Sequence, residues 1–531
     1  MMYERQKSDP GVVAQKLANK SGRPEAESVE RRPGAKGNMV GLHTHRTQGR
    51  MAVSQRLDRV RQAARQRKKE RFTALFHHLD TDLLRESFFW LQRKAAAGID
   101  GVTWCDYERD LEVRLSELHD RLHRGAYRAL PSRRQYIAKP DGSQRLLGIA
   151  ALEDKIVQRA VVEVLNAVYE ADFLGFSYGF RPGRRQHDAL DALAVGITCT
   201  SVNYIVDADV EKFFDQLSHN WLLRFLEHRL GDPRILRLIR KWLKAGVMEE
   251  GVVTQAETGT PQGAVVSPVL ANVYLHYVFD LWAQQWRHRH ARGNMIVVRY
   301  ADDSVVGFER QDDAERFLSE MRVRMEQFGL SVHPHKTRLI EFGRHAARRR
   351  DERGLGKPET FNFLGFTHIC GRTRRGTFAL RRTTRRDRMQ LALRRIKEQL
   401  HQIRHYAIPQ QGARLRQVVQ GYFAYHAVPT NSRRLSAFRH HVIKSWLRSL
   451  RRLTCGIVSL INAFDPEVVI LGGGIAKAGP TLFDPLDRLL NQLEWKPTGS
   501  RVRIVPAALG EWAGAFGAAY HALNVNGQIQ I

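Results

Sequence analysis

The chain has 531 residues, with 85 Lys plus Arg against 55 Asp plus Glu, a formal net charge of +30. Apolar residues make up 43%, enough to fill several cores at roughly 150 residues per domain, so wholesale disorder is excluded. No apolar run spans a bilayer, since the best stretch, residues 455–476, is broken by Asn462, Asp465, Pro466 and Glu467.

Residues 1–55 are polar, rich in Gly and Arg and without periodicity, which predicts a disordered basic arm with no secretory leader. A helical pattern runs from Leu57 to about Leu122, with Leu79, Leu83, Leu84, Phe88 and Leu91 at helical spacing. Residues 154–171 carry Ile156, Val157, Ala160, Val161, Val164, Leu165 and Val168 on one stripe of a helix. Tyr204–Ala208 reads as a buried strand, and Ser218 as the cap of a following helix. Ser267-Pro268 opens a long helix through about Trp286. Ile296–Arg299 and Ser304–Phe308 form a hairpin around Tyr300-Ala-Asp-Asp303. Asp312–Phe328 is a helix stopped by Gly329. The order strand, helix, helix, hairpin, helix is that of a ferredoxin-like split βαβ unit.

Further on, residues 372–388 hold eight arginines, among them Arg381, Arg382, Arg385 and Arg386. Leu453–Phe464 reads as a helix and Glu467–Leu471 as a buried strand leading into Gly472-Gly-Gly474. From Cys455 onward the net charge is −1, so residues 1–454 carry +31. A polyanion-binding body is therefore joined to a tail of different composition, and nucleic acid is the partner that suits the body. Cys105, Cys199, Cys370 and Cys455 form no CxxC pair, and the histidines lack cysteine partners at metal spacing. That argues against a zinc site or a disulfide scaffold and for a reducing, cytoplasmic setting.

Acidic residues sit where two strands end. Asp207 and Asp209 lie at the end of one, two residues apart, and the pattern alone does not separate them. Asp302 and Asp303 lie in the hairpin turn. Carboxylates converging at a sheet edge repel one another unless a hard cation such as Mg²⁺ neutralises them. A pair of such ions is a standard device for nucleotidyl transfer.

Tyr300-Ala-Asp-Asp303 resembles the YxDD box of reverse transcriptases. Phe180-Arg-Pro-Gly-Arg184, Ile205–Asp209, Thr260-Pro-Gln-Gly263 with Ser267-Pro268, Lys336-Thr337 and Phe363-Leu-Gly-Phe366 follow the block order of group II intron reverse transcriptase/maturases. So does Gly421–Pro429 with Asn431, which is similar to a maturase block. The resemblance covers residues 55–453. It implies an α+β right-hand polymerase. The N-terminal helices and fingers would be residues 56–200, the ferredoxin-like palm 201–366 and the helical thumb/maturase region 367–453.

That resemblance also implies roles. Asp209, Asp302 and Asp303 would hold two Mg²⁺ ions and carry catalysis, leaving Asp207 a bystander. Lys139 and Arg145 would grip the triphosphate, Phe214 would screen the sugar 2′-hydroxyl, and Gln262 and Gly263 would lie against the templating pair. Arg181, Arg184, Lys336, Arg381, Arg382, Arg385 and Arg386 would contact RNA, and Tyr422, Phe423 and Tyr425 would either stack on bases or fill a helix core. The fingers segment reads Arg145-Leu-Leu-Gly-Ile-Ala150, without the two prolines common in the family. The expected partners are intron RNA, a DNA primer or target and dNTPs, with no membrane and no oligomeric state specified. The alternative is a non-catalytic RNA-binding splicing factor.

A second resemblance covers residues 454–531. Asp465–Gly474, Val505–Gly510 and Gly514-Ala-Phe-Gly517 are similar to the C-terminal end of ROK-family sugar kinases. This implies an incomplete α/β, actin/hexokinase-like fragment without the family's catalytic half, and hence no sugar phosphorylation.

Overall fold

A computed structural model describes residues 53, 55–138, 144–249, 252–254, 258–260, 263–404, 406, 408–464, 467–472, 479–480, 483–484, 486–488 and 502–508. Nearly all of the predicted N-terminal arm and much of the tail, including Gly473-Gly474 and Gly510–Gly517, lie outside them. The chain divides into two units, Met1–Leu364 with Ile369–Leu380, and Gly365–His368 with Arg381–Ile531.

Residues 55–66 are helical, and helices α1 (Thr81–Trp90) and α2 (Leu111–His123) follow. Asp80 caps α1, its carboxylate accepting the Leu83 amide at 2.9 Å. Strands β1 (Ser132–Ala138) and β2 (Gln144–Ile149) pair antiparallel. Helix α3 (Leu152–Tyr169) follows, and every residue of its predicted apolar stripe is fully buried. Helix α4 (Gln186–Cys199) leads into β3 (Tyr204–Ala208), at the predicted limits. Helices α5 (His219–Glu227) and α6 (Pro233–Lys244) come next, and Ser218 caps α5 as expected. Strands β4 (Val247–Glu249) and β5 (Val252–Thr254) complete a first sheet in the order β2-β1-β4-β5.

The predicted long helix from Ser267 is interrupted. Helix α7 (Ser267–Leu275) passes through a π turn, His276–Asp280, into α8 (Leu281–Arg289). Such turns shift the register of a helix and re-aim side chains. Strands β6 (Met295–Tyr300) and β7 (Asp303–Phe308) form the predicted hairpin, helix α9 (Gln311–Gln327) follows, and β8 (Arg338–Glu341) closes a second sheet. Its order is β6-β7-β3-β8, antiparallel throughout. β3 is therefore central, and its end lies beside the turn between β6 and β7.

Strands β9 (Phe366–Arg372) and β10 (Phe378–Thr384) are neighbours whose residues are shared between the two units. The second unit continues with α10 (Arg386–Gln402), α11 (Ile408–His426) and α12 (Ser432–Phe464). Met389, Ile396, Leu400, Leu415, Phe438 and Val442 form its core, and Tyr422, Phe423 and Trp446 pack against it. Tyr422 stacks on Phe438 with ring centroids 3.6 Å apart, so of the two readings of these aromatics Tyr422 and Phe423 take the helix-core one. Asn431 is fully buried. Its amide donates to Thr384 Oγ1 and to the His426 carbonyl, both at 2.8 Å, and its oxygen accepts the Thr384 amide at 2.9 Å.

α12 begins at Ser432, well before the predicted start at Leu453, and runs unbroken through the compositional join. Strands β11 (Val468–Leu471) and β12 (Arg503–Pro506) pair parallel as a two-stranded sheet. Ile470 and Val505 are exposed on it.

A buried network ties α3 to the loop before β1. The Tyr127 hydroxyl donates to Asp154 Oδ1, Asp154 Oδ2 accepts the Leu130 amide at 3.0 Å, and Trp242 Nε1 donates to the Tyr127 hydroxyl at 2.9 Å. Burial pushes the Asp154 carboxyl up to about 6. A carboxyl raised on folding binds more protons in the native state, so its contribution is full below its unfolded pKa and fades as pH rises through about 6. Urea denaturation between pH 4 and 7 should therefore show Asp154→Asn gaining on the native chain by about 2–4 kcal/mol across that window. A constant difference between the two would contradict the linkage.

Candidate functional site

The site is built on the ends of β3, β6 and β7. Tyr300 pairs with Asp303 across the turn, and Ala301 adopts a left-handed backbone, φ 57°. That conformation is uncommon for a residue with a Cβ and needs outside support. Arg299, 1% exposed, supplies it. Its Nη1 donates to the Ala301 carbonyl at 2.8 Å. Its Nε and Nη2 each donate at 2.6 Å to the Asp280 carboxylate, which the π turn presents and which is fully buried. Asn272 Oδ1 at 3.2 Å and Ser177 Oγ at 2.7 Å take the remaining donors.

The segment 176–180 is laid along the same turn. The Arg299 amide donates to the Phe176 carbonyl and the Tyr178 amide to the Arg299 carbonyl, both at 2.9 Å. Gly179 then approaches the turn so closely that a Cβ on it would stand 2.1 Å from the Ala301 nitrogen. Only glycine fits there.

Asp209 follows the last residue of β3. Its amide donates to Thr337 Oγ1 at 3.2 Å, and its carbonyl accepts the His333 amide at 2.8 Å. Its carboxylate meets Lys336 Nζ at 3.1 Å. Asp207 pairs with Arg338 at 3.7 Å, and its carboxyl is pushed up to about 6 by burial, against Arg338 and with Asp209 adding. The Asp303 carboxyl is pushed up to about 7, first by the protein packed around it, then by Asp302, Asp209 and Asp207, with Lys336 opposing.

The structure thus brings Asp207, Asp209, Asp302 and Asp303 to one sheet end. Among the described residues no group of three or more His, Cys, Asp or Glu is drawn into metal-holding geometry. The donor chemistry nevertheless fits a divalent cation, being all carboxylate oxygen and electrostatically strained without one.

The other predicted residues divide. Phe214 is half-buried against the core, and its carbonyl accepts the Thr260 amide at 2.8 Å. Gly263, φ 109°, lies against β2, where a Cβ would stand 2.9 Å from the Gly148 carbonyl. Arg145 is carried on β2 opposite Ile137. Lys139 and Gln262 lie outside the described residues.

Of the residues expected to contact RNA, two are buried and one stands beside the carboxylates. Arg181 is buried and donates to the Glu170 carboxylate and to the carbonyls of Leu174 and Ser177, at 2.7–3.2 Å. These bonds anchor it within its loop. Arg382 is 4% exposed because alternation along β10 turns it inward. Lys336 is exposed but stands at Asp209, beside the carboxylates. Arg184 is half-buried, with Nη1 donating to the Gly175 carbonyl at 2.6 Å. Arg385 pairs with Asp387, whereas Arg381 and Arg386 are exposed. Sequence reasoning missed Arg299 and Asp280, whose only signal was charge inside otherwise apolar segments.

Residues 137–368 match the reverse transcriptase (RNA-dependent DNA polymerase) family, and residues 432–525 match the ROK family. Protein YkfC of Escherichia coli K12 is 36% identical over 239 residues, 39% of this chain and 62% of that protein. The group II intron-encoded protein LtrA of Lactococcus lactis subsp. cremoris is 32% identical over 222 residues, covering 41% and 37%. A truncated apo telomerase from Candida tropicalis aligns with 51% of this chain and 60% of its own, at 14% identity and a TM-score of 0.35. The chain spans less than two thirds of these curated relatives. Residues 137–368, which hold the sheet-end carboxylates, are thus similar to a reverse transcriptase domain. Its relatives include a group II intron-encoded protein, and a segment similar to the ROK family follows it. Among the described residues no helix is long and apolar enough to cross a membrane.

Removing one partner of a buried, hydrogen-bonded ion pair costs about 3–5 kcal/mol. Asp280→Ala should lower the unfolding free energy of the first unit by that much in guanidinium titration. A loss below about 1 kcal/mol, the range of exposed pairs, would show that Arg299 does not depend on it.

Proposed function

We propose that this chain is an RNA-directed DNA polymerase that extends a DNA primer on intron RNA and assists the splicing of that RNA. The observation that carries this reading is the convergence of Asp209, Asp302 and Asp303 on a turn locked from behind, within a domain of reverse transcriptase type. Asp209, Asp302 and Asp303 would hold two Mg²⁺ ions. When bound, these supply Lewis acidity to the primer 3′-hydroxyl and neutralise charge on the departing pyrophosphate.

The protein's own groups do the positioning. Phe214, half-buried against the core, would screen the sugar 2′-hydroxyl with its rigid ring. Arg145, and Lys139 beyond the described residues, would bind the triphosphate as a fork and a point charge. Gln262 and Gly263 would support the templating pair, for which the contact of Gly263 with Gly148 ties that block to β2. Lys336 pairs with Asp209. Arg381, Arg385 and Arg386 remain the RNA contacts proposed for the second unit. A bacterial-type cytosol beside the nucleoid is the setting in which primer, RNA and dNTPs meet.

The test is extension of a labelled DNA primer on an RNA template by the purified full chain with Mg²⁺ and dNTPs. Asp302→Ala should reduce incorporation roughly 10³-fold, the scale set by losing several kcal/mol of metal-borne stabilisation. Phe214→Ala should raise ribonucleotide use relative to dNTP use about 10–100-fold, as loss of a small steric clash allows. RNA binding without any incorporation by the native chain would favour the non-catalytic splicing factor.

A further inference from the structure

The first unit has an open concavity of about 500 Å³ whose lining includes none of the carboxylates. Five cations line it: Arg128, before β1, and Arg237, Arg240, Lys241 and Lys244 of α6. The four on α6 fall at helical spacing on one face, while Ile235, Leu236, Leu238, Ile239, Trp242 and Leu243 bury the opposite face. The cationic row is thus held rigidly by a packed helix. None of its residues belongs to the carboxylate site.

The floor of the concavity is built from the protein interior. Lys241 is half-buried, and its ammonium donates to the Tyr127 carbonyl. Tyr127 is itself fixed by Asp154 and Trp242 in the network described above. Burial lowers the Lys241 pKa, and the Arg237 and Arg128 charges lower it further, so these three cations crowd one another. Among the described residues, Glu227 is the acidic partner paired to this row, meeting Arg240 at 3.0 Å. A fixed set of mutually repelling cations around an open hollow attracts a multivalent anion, and repeated phosphates supply one.

We propose that this concavity is a phosphodiester-binding site that holds a nucleic-acid strand apart from the polymerase centre. Template RNA and target DNA share that chemistry. The inference rests on the nucleic-acid-handling reading above, but it concerns binding alone.

The test uses the full chain with Arg237, Arg240 and Lys244 all changed to Gln, leaving Lys241 in place because it holds the floor. A control chain carries Arg109, Arg289 and Arg322 changed to Gln, exposed positions that lose the same charge elsewhere. Fluorescence anisotropy follows a labelled single-stranded RNA, a labelled DNA duplex and a labelled nucleoside triphosphate across a salt series, with thermal melting to confirm folding. Each lost phosphate contact should flatten the slope of log K against log salt by about 0.7–0.9. The concavity variant should therefore lose about 2–3 units of slope on RNA, on DNA or on both, which identifies the strand held, and the control less than 1. Equal losses in both variants would overturn the proposal in favour of net charge alone. Loss confined to the triphosphate would overturn it in favour of a small-ligand pocket. Absence of primer extension would leave these binding slopes unchanged, so the two readings fail separately.

Discussion

The Arg299–Asp280 ion pair is the constraint on which the site depends. A guanidinium and a carboxylate removed from water are tolerable only when every donor finds an acceptor. Arg299 meets that condition with Asp280, Asn272, Ser177 and the Ala301 carbonyl. One side chain thereby joins the π turn, α7, the 176–180 segment and the β6–β7 turn. The left-handed Ala301 and the close approach of Gly179 are consequences of that joint. Carboxylates that repel one another stay together because the backbone beneath them cannot move apart.

The net charge has a finer structure than its sum. Arg181 and Arg299 are interior residues that neutralise buried acids or cap buried carbonyls. Arg382 also lies inside. Arg237, Arg240 and Lys244 face solvent from a helix whose other side is core. Equal formal charges thus do opposite work. Buried arginines fix loops, and exposed ones create a field at the surface.

Much of this was legible in the sequence, for stated reasons. The apolar stripe of α3, the strand Tyr204–Ala208 and the hairpin around Tyr300–Asp303 are periodic, and periodicity reports directly which face is buried. The convergence of the carboxylates followed once two strand ends were recognised. The π turn was not legible, because α7 and α8 read as one continuous apolar helix. β10 was masked by its arginines, although Leu380, Arg382 and Thr384 alternate on its inward face. The burial of Arg181 was not legible, because its partners, Glu170 and two carbonyls, are brought to it by the fold rather than by a motif. The tail's join was placed by composition, whereas α12 and the ROK match both begin at Ser432, since a helix continues wherever helix-forming residues do.

The central claim is that the sheet-end carboxylates form a polymerase site for RNA templates. Single-turnover incorporation of one dNTP onto a DNA primer annealed to RNA tests it most directly, using the full chain and its Asp209→Asn variant at matched primer–template occupancy. The native chain should incorporate the nucleotide, and the variant should lose roughly 10³-fold. A native chain that binds the primer–template but adds no nucleotide, or a variant that adds it equally fast, would contradict the account.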